Sequence, residues 1–174
     1  MSTDIDNILS NSKIGDSVTA TLVDAEQNCA ASIALVDQAR YTLDIVSRDL
    51  NHALYDNDAF EEVVKQLATS SRKARIRILI QDSDKAVKQG HRIVELARRI
   101  SSFIEIRVQG KQFKEFNEAW LIVDAKAWIR RPLVDRYHAE INYSAARQLR
   151  DIVKEFDNMW NYASPDPNLR RLSI

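Results

Sequence analysis

Three short apolar runs with a period of two, separated by stretches of helical periodicity, constrain the fold of this chain most strongly. Before and between the runs, apolar residues recur three and four positions apart, which predicts helices from Asp24 to about Gln38, from Asp58 onwards and from Asp84 to about Ser101. Strands joined by helical crossovers of this length form parallel sheets covered by helices, so we predict an α/β fold. The three runs are YTLDIVS (41–47), RIRILIQD (75–82) and FIEIRV (103–108).

The pattern changes after Gly110. Two strand-like runs, at about 116–123 and 127–131, are separated only by DAK, which is too short for a crossover helix and predicts a tight antiparallel hairpin. The sheet should therefore be mixed, largely parallel and flanked by helices. A last helix is predicted at about 145–163. We divide the chain into an N-terminal segment (1–23), one domain (24–163) and an irregular tail (164–174).

Composition excludes several classes of function. The 25 Lys and Arg balance the 25 Asp and Glu, so no global field attracts nucleic acid or an acidic membrane, and any polyanion site must be a local patch. No apolar run has the length of a membrane span. The lone Cys29 predicts a reducing compartment, the cytoplasm. With three glycines and no metal-ligand spacing, the sequence predicts neither a cofactor nor a metal.

The order of elements from residue 24 to 163 resembles the phospholipase D superfamily. In that superfamily the late hairpin carries the motif His-x-Lys-x-x-x-x-Asp. Laid on NEAWLIVD, the motif has Asn117 at the histidine position, Ala119 at the lysine position and Asp124 at the aspartate position. Only the aspartate is retained.

Two further features of the superfamily can be compared with this sequence. A Gly-Ser turn after the motif would fall near Arg131 and Pro132, where it is missing. An F-x-x-x-W pattern on the last helix is matched by Phe156 and Trp160. The resemblance therefore implies the fold of the superfamily with a degenerate active site.

The residues at the motif positions predict the loss of the superfamily's chemistry. Transfer through a phospho-enzyme needs a nucleophilic lone pair and cations on the nonbridging oxygens. The amide of Asn117 has no basic nitrogen, and Ala119 carries no charge. We therefore favour a non-catalytic phospholipase D-like domain that acts as a binding or scaffolding module.

The resemblance also implies a partner. Single-copy members of about this length pair as homodimers across the motif face, so we expect a homodimer, and a different protein partner is a further option. Trp120 and Trp128 on the hairpin would then lie either in the core or on an exposed face where a partner docks.

Two other interpretations stay open. A nucleic-acid or phosphate-binding protein would use the basic segment after the motif, which contains Arg130, Arg131, Arg136 and His138, although these arginines more simply pair with nearby acids. An enzyme of altered mechanism would use Asp124, Glu118 or His138 instead of the missing histidine.

Other polar residues have structural explanations. His52 is assigned to a polar loop, and His91 to the surface or boundary of a helix. Asp82 and Asp84, after the second strand, either bind a polar ligand or belong to a strand end and the cap of the next helix, and we favour the cap.

Overall fold

A computed structural model describes residues 2–170, which form a mixed seven-stranded sheet with helices on both faces. The strands are β1 (Thr19–Leu22), β2 (Thr42–Ser47), β3 (Arg75–Ile80), β4 (Ile104–Val108), β5 (Ala119–Val123), β6 (Ala127–Arg131) and β7 (Ala139–Asn142). The helices are α1 (Ser2–Asn11), α2 (Ala25–Asp37), α3 (His52–Tyr55), α4 (Asp58–Ser70), α5 (Asp84–Lys88), α6 (Arg92–Arg99), α7 (Ala146–Tyr162) and α8 (Pro167–Arg170).

The sheet has the order β1-β7-β6-β5-β2-β3-β4. Strands β2, β3 and β4 are parallel neighbours, as their helical crossovers predict, whereas the other four pairings are antiparallel. The predicted α/β class, with a mixed sheet, flanking helices and a late hairpin, is confirmed. The sheet is not largely parallel as predicted, because β1 and β7 extend the hairpin with further antiparallel pairs. The carboxyl ends of β2, β3, β4 and β6 share one edge of the sheet with the amino end of β5.

Two apolar cores lie on the two faces of the sheet. The larger core joins the sheet to all the helices except α7, and it takes Leu121 and Val123 from β5. The smaller core lies under α7 and takes Trp120 and Ile122 from the same strand. All three tryptophans, Trp120, Trp128 and Trp160, belong to this smaller core. Neighbouring residues of one strand therefore face different layers, as the period of two requires.

The structure adds elements that the sequence patterns did not predict. Strand β1, within the predicted N-terminal segment, pairs at the edge of the sheet with β7, which directly follows His138. Each has four residues, too few for a clear period of two. In the tail, Ser164 pairs with Val108 of β4 and α8 follows, whereas residues 171–174 lie outside the described residues.

The prediction of one continuous helix from Asp84 to about Ser101 is wrong. The structure has two helices there, α5 and α6, with a break at Gly90. Gly90 has φ +72°, a left-handed conformation that glycine adopts without steric cost, and His91 then caps α6. Among residues 2–170, no helix is long and apolar enough to cross a bilayer.

Asp124 fixes the hairpin against the start of β2. Asp124 and Ala125 both have φ +51°, as the central residues of a type I′ turn require. The Asp124 carboxylate accepts hydrogen bonds from the backbone N–H groups of Arg40, Tyr41 and Thr42 at 2.8, 2.8 and 2.9 Å. The retained aspartate of the motif therefore joins two segments more than 80 residues apart in sequence.

We predict that Asp124→Asn lowers the free energy of unfolding by about 1–3 kcal/mol, because one carboxylate oxygen is replaced by an N–H₂ group that faces backbone donors. Asn keeps the tolerance of Asp for positive φ, so turn strain does not confuse the result. Urea denaturation gives the value. The control Asp151→Asn, on the exposed face of α7, should stay within about 0.5 kcal/mol of wild type. Equal effects of the two changes would contradict the role of Asp124.

Candidate functional site

Asn117 lies at the sheet edge where the parallel strands end. It is exposed, two residues before β5, and its Oδ1 accepts a hydrogen bond from Arg48 Nη2 at 3.0 Å. Its backbone carbonyl accepts from Val134 N–H at 2.8 Å, which ties the segment 132–138 to this edge. Arg48 follows β2, so the contact joins two strand ends at the edge where α/β sheets bind ligands.

Ala119 is 2% exposed and lies directly opposite Arg131 in the β5–β6 ladder. Residues opposite each other in an antiparallel pair have Cβ atoms about 4.5–5.5 Å apart and point to the same face. Ala119 therefore lies beside an arginine supplied by the neighbouring strand.

A pocket of about 210 Å³ opens beside these residues. Most of its lining is polar: the residues are Arg48, Asp49, Asn51, Arg131, Val134, Asp135 and Tyr137. Asn117 contacts the pocket through its bond to Arg48. The pocket therefore lies at the same edge of the sheet as Asn117, which does not itself line it.

Arg131 is buried, with 3% of its surface exposed. Within residues 2–170, the only hydrogen bond of its side chain is a long one, 3.4 Å, from Nη1 to the Val134 carbonyl, and no carboxylate forms a salt bridge with it. Its guanidinium carbon lies 5.9 Å from the centre of the Tyr137 ring, within cation–π range. Burial of a charge without a carboxylate is costly, which makes Arg131 exceptional in this chain.

Arg48 binds two side chains at the mouth of the pocket. Besides Asn117, it forms an ion pair with Asp135, whose side chain is 69% exposed, while that of Arg48 is 40% exposed. Ion pairs this exposed contribute little to stability. The contact holds the segment 132–138 against the end of β2.

Arg130 faces the other side of the sheet. Its guanidinium donates to Glu118 at 2.5 and 2.9 Å, and Trp120 Nε1 donates to the same carboxylate at 2.7 Å. The bonds from Arg130 are the main cause that lowers the pKa of the Glu118 carboxyl. Adjacent strand residues point in opposite directions, so Arg130 and Arg131 do not form one patch.

The remaining predicted site residues are dispersed. Arg136 and His138 are exposed on the segment between β6 and β7. Asp124 lies at the opposite end of β5 from Asn117, roughly 20 Å away at the rise of a strand. Glu118 belongs to the α7 face. The structure therefore does not bring Asp124, Glu118 and His138 together.

Trp120 and Trp128 lie in the core, 2% and 7% exposed. Trp120 contacts Phe116 edge to face, with ring centres 4.9 Å apart. Of the two alternatives that the sequence left open, the core placement is the one found. The alternative that both indoles form an exposed partner face is corrected, because α7 covers them.

Sequence reasoning missed a buried charge network under α7. Arg77 donates to Asp44, its neighbour in the β2–β3 ladder, at 2.8 and 3.1 Å and to Asp157 of α7 at 2.8 Å. Its guanidinium carbon lies 4.6 Å from the centre of the Phe156 ring, and Phe156 stacks on Trp160. Single charges inside the apolar runs TLDIV and RIRILI were the available signal.

His91 supports the loop that carries Arg48. It is 2% exposed, not at a surface or boundary as predicted, because it caps α6 from inside the core. Its Nδ1 accepts from Ile93 N–H at 3.1 Å, and its Nε2–H donates to the Leu50 carbonyl at 2.9 Å. Leu50 has φ +55°, so this bond holds a strained backbone between Arg48 and Asn51.

Asp82 and Asp84 are arranged as at a helix cap, at the start of α5, and not as a ligand site. Asp82 Oδ1 accepts from the Asp84 N–H at 2.9 Å, at the start of α5. Among residues 2–170, no group of three or more His, Cys, Asp or Glu is arranged to hold a metal ion.

Several solved structures are similar in fold to this chain. NucT from Helicobacter pylori superposes with a TM-score of 0.63 at 13% identity, covering 86% of this chain and 99% of that one. Nuc from Salmonella typhimurium, a phospholipase D family member, gives 0.59 at 12% identity, with coverages of 86% and 99%. The archaeal chromatin protein TrmBL2 gives 0.64 at 10% identity, with 94% of this chain and 59% of that one.

These similarities show that the chain has the fold of the phospholipase D family members. More particularly, residues 24–172 match the family described as Domain of unknown function (DUF7931), and the chain belongs to that family. No curated protein matches the chain.

The cap geometry of His91 predicts a loss of stability in acid. Burial, which penalises the charged imidazolium, lowers the pKa of His91 to about 4, below its ordinary value of 6.5. A second proton, on Nδ1, would also break the cap. The unfolded chain therefore binds the proton first. The stabilisation is complete above about pH 6.5 and is lost as the pH falls towards 4, by about 2–3 kcal/mol.

Urea denaturation at pH 7 and pH 4.5 measures this loss. The matched variant His91→Asn keeps a side chain that caps helices well but does not titrate. Its stability should decrease less than that of wild type between the two pH values. Equal decreases in both proteins would contradict the assignment to His91.

Proposed function

We propose that this chain is a non-catalytic phospholipase D-like domain that acts as a binding module, with its ligand site in the cleft beside Asn117 and Ala119. The observation that carries the proposal is the pairing of Ala119 with Arg131 across β5 and β6. The cleft lacks an imidazole at the motif position but has a cation beside it. Attraction for an anion can therefore persist without a nucleophile to attack it.

The dispersed groups weaken the alternative of a new enzymatic mechanism. Asp124 is occupied by three backbone donors, and Glu118 by Arg130 and Trp120. His138 is exposed on the segment between β6 and β7 and has no side-chain hydrogen bond among residues 2–170. A positioned acid, base and nucleophile would have to lie within hydrogen-bond reach of one substrate, and these three do not.

We predict that the purified chain releases no nitrophenol from bis(p-nitrophenyl) phosphate above a buffer blank, with or without Mg²⁺, Mn²⁺ or Zn²⁺. Loss of a nucleophile alone lowers turnover by several orders of magnitude. Asn117→Ala is the control and should give the same rate. A rate above the blank that falls in Asn117→Ala would overturn the non-catalytic proposal.

A homodimer across the motif edge is the assembly that we propose. The single motif copy supports it, because the resemblance to the superfamily implies pairing of two copies. Leu133 also supports it, as a large apolar side chain that is 47% exposed on the segment beside the cleft. The lone thiol of Cys29 supports a cytoplasmic location for this assembly.

Light scattering after size-exclusion chromatography should give twice the 20.0-kDa chain mass at micromolar concentration. Leu133→Asp should shift the population towards the single chain, because it buries a charge in the proposed interface. The matched change Val23→Asp, at an exposed apolar residue beside α2, should leave the mass unchanged. A monomeric wild type would contradict the homodimer.

Nucleic-acid binding is a second candidate for the role of the module. TrmBL2, whose fold is similar, is described as showing a novel mode of DNA binding. In this chain Arg131 and Arg136 would contact phosphates, whereas Arg130 is held by Glu118 on the other face. Such binding would weaken with salt, because phosphate contacts release counterions.

A further inference from the structure

We propose that the pocket lined by Arg48, Arg131 and Tyr137 binds a phosphate group, and that Asp135 is a built-in competitor that the phosphate displaces from Arg48. This inference rests on the proposed function and names its ligand chemistry. The pocket volume of about 210 Å³ suits one phosphate with its nearest substituent atoms.

The burial of Arg131 is the first argument. A guanidinium that is 3% exposed and forms no salt bridge within residues 2–170 lines the pocket, with a long bond to Val134 and the Tyr137 ring as its partners. A guanidinium carries five donors in a planar fork, and one long bond leaves most of them free. An anion in the pocket would satisfy both the donors and the charge.

The second argument is the position of Arg131 on β6, directly opposite Ala119 of β5. Ala119 leaves space opposite Arg131, because a methyl group extends no further than Cβ. Arg131 therefore occupies the side of the ladder from which a longer side chain at position 119 would reach the cleft. The cation at this edge therefore comes from β6, whereas the resemblance to the superfamily would place it at position 119 on β5.

Arg48 and Asn117 complete the donor set. Asn117 Oδ1 accepts from Arg48, which leaves the two N–H groups of the Asn117 amide without a partner among the described residues. Two guanidinium groups and an amide are typical of phosphate recognition, since guanidinium groups bind phosphate oxygens in pairs.

Asp135 competes with the phosphate for Arg48. Its carboxylate pairs with Arg48 and lines the same pocket, so it occupies a cation that the phosphate needs. The pair is largely exposed and therefore easily broken. Displacement of Asp135 would remove the contact between the segment 132–138 and Arg48. The backbone bond from Val134 to Asn117 would remain.

Isothermal titration of the full chain at constant ionic strength tests the site with three probes: inorganic phosphate, glycerol 3-phosphate and the thymidine dinucleotide pTpT. At least one should bind to wild type. Arg131→Met should weaken that binding by about tenfold or more, through the loss of charge-assisted bonds. Arg147→Gln, which removes an exposed cation from α7 on the other face of the sheet, should bind as wild type does. Asp135→Asn should bind about two- to fivefold more tightly.

Stability separates a ligand site from a structural arginine. Arg131→Met should unfold at the same temperature as wild type or at a higher one, because Met removes a buried charge. If Arg131→Met fails to fold, Arg48→Gln, at a side chain that is 40% exposed, should show the same loss of binding in a folded chain.

Three outcomes would overturn the site: no binding of any probe to wild type or Asp135→Asn, equal binding by wild type and Arg48→Gln, or equal losses in Arg131→Met and Arg147→Gln. The choice among the three probes identifies the source of the phosphate as free ion, lipid-type headgroup or nucleic acid. Cleavage of pTpT would instead overturn the non-catalytic function while leaving the phosphate site in place.

Discussion

The register of the β5–β6 hairpin is the constraint on which the proposed site depends. It places Ala119 opposite Arg131, and it sends Arg130 to the other face, where Glu118 binds it. A shift of one residue would exchange the two arginines between the layers and bury the wrong one under α7. The turn at Asp124, with its three backbone hydrogen bonds to the start of β2, fixes this register.

The same constraint separates two roles that the motif combines in one stretch of sequence. Asp124 holds the hairpin to the start of β2, at the end of β5 remote from Asn117, and this structural role needs no catalysis. Asn117 and Ala119 lie at the other end of β5, at the edge where the parallel strands end. The aspartate alone is therefore weak evidence for activity.

Much of the fold could be predicted from the sequence, because the apolar runs of β2, β3 and β4 are long and the hairpin is interrupted by only three residues. The short strands β1 and β7 were missed because four residues carry too little periodicity. The break at Gly90 was missed because apolar spacing continues across it. For the candidate site, the sequence predicted Asn117, Ala119 and Arg131 but not Arg48, since the contact between residues 48 and 117 depends on the sheet order.

The placement of the three tryptophans determines what optical spectroscopy can detect. Trp120, Trp128 and Trp160 all lie in the core under α7, on the face of the sheet opposite to Arg131 and Tyr137. Indole emission therefore reports the integrity of the α7 layer. Occupancy of the cleft is better followed through a label or an NMR signal on the tyrosine side of the sheet.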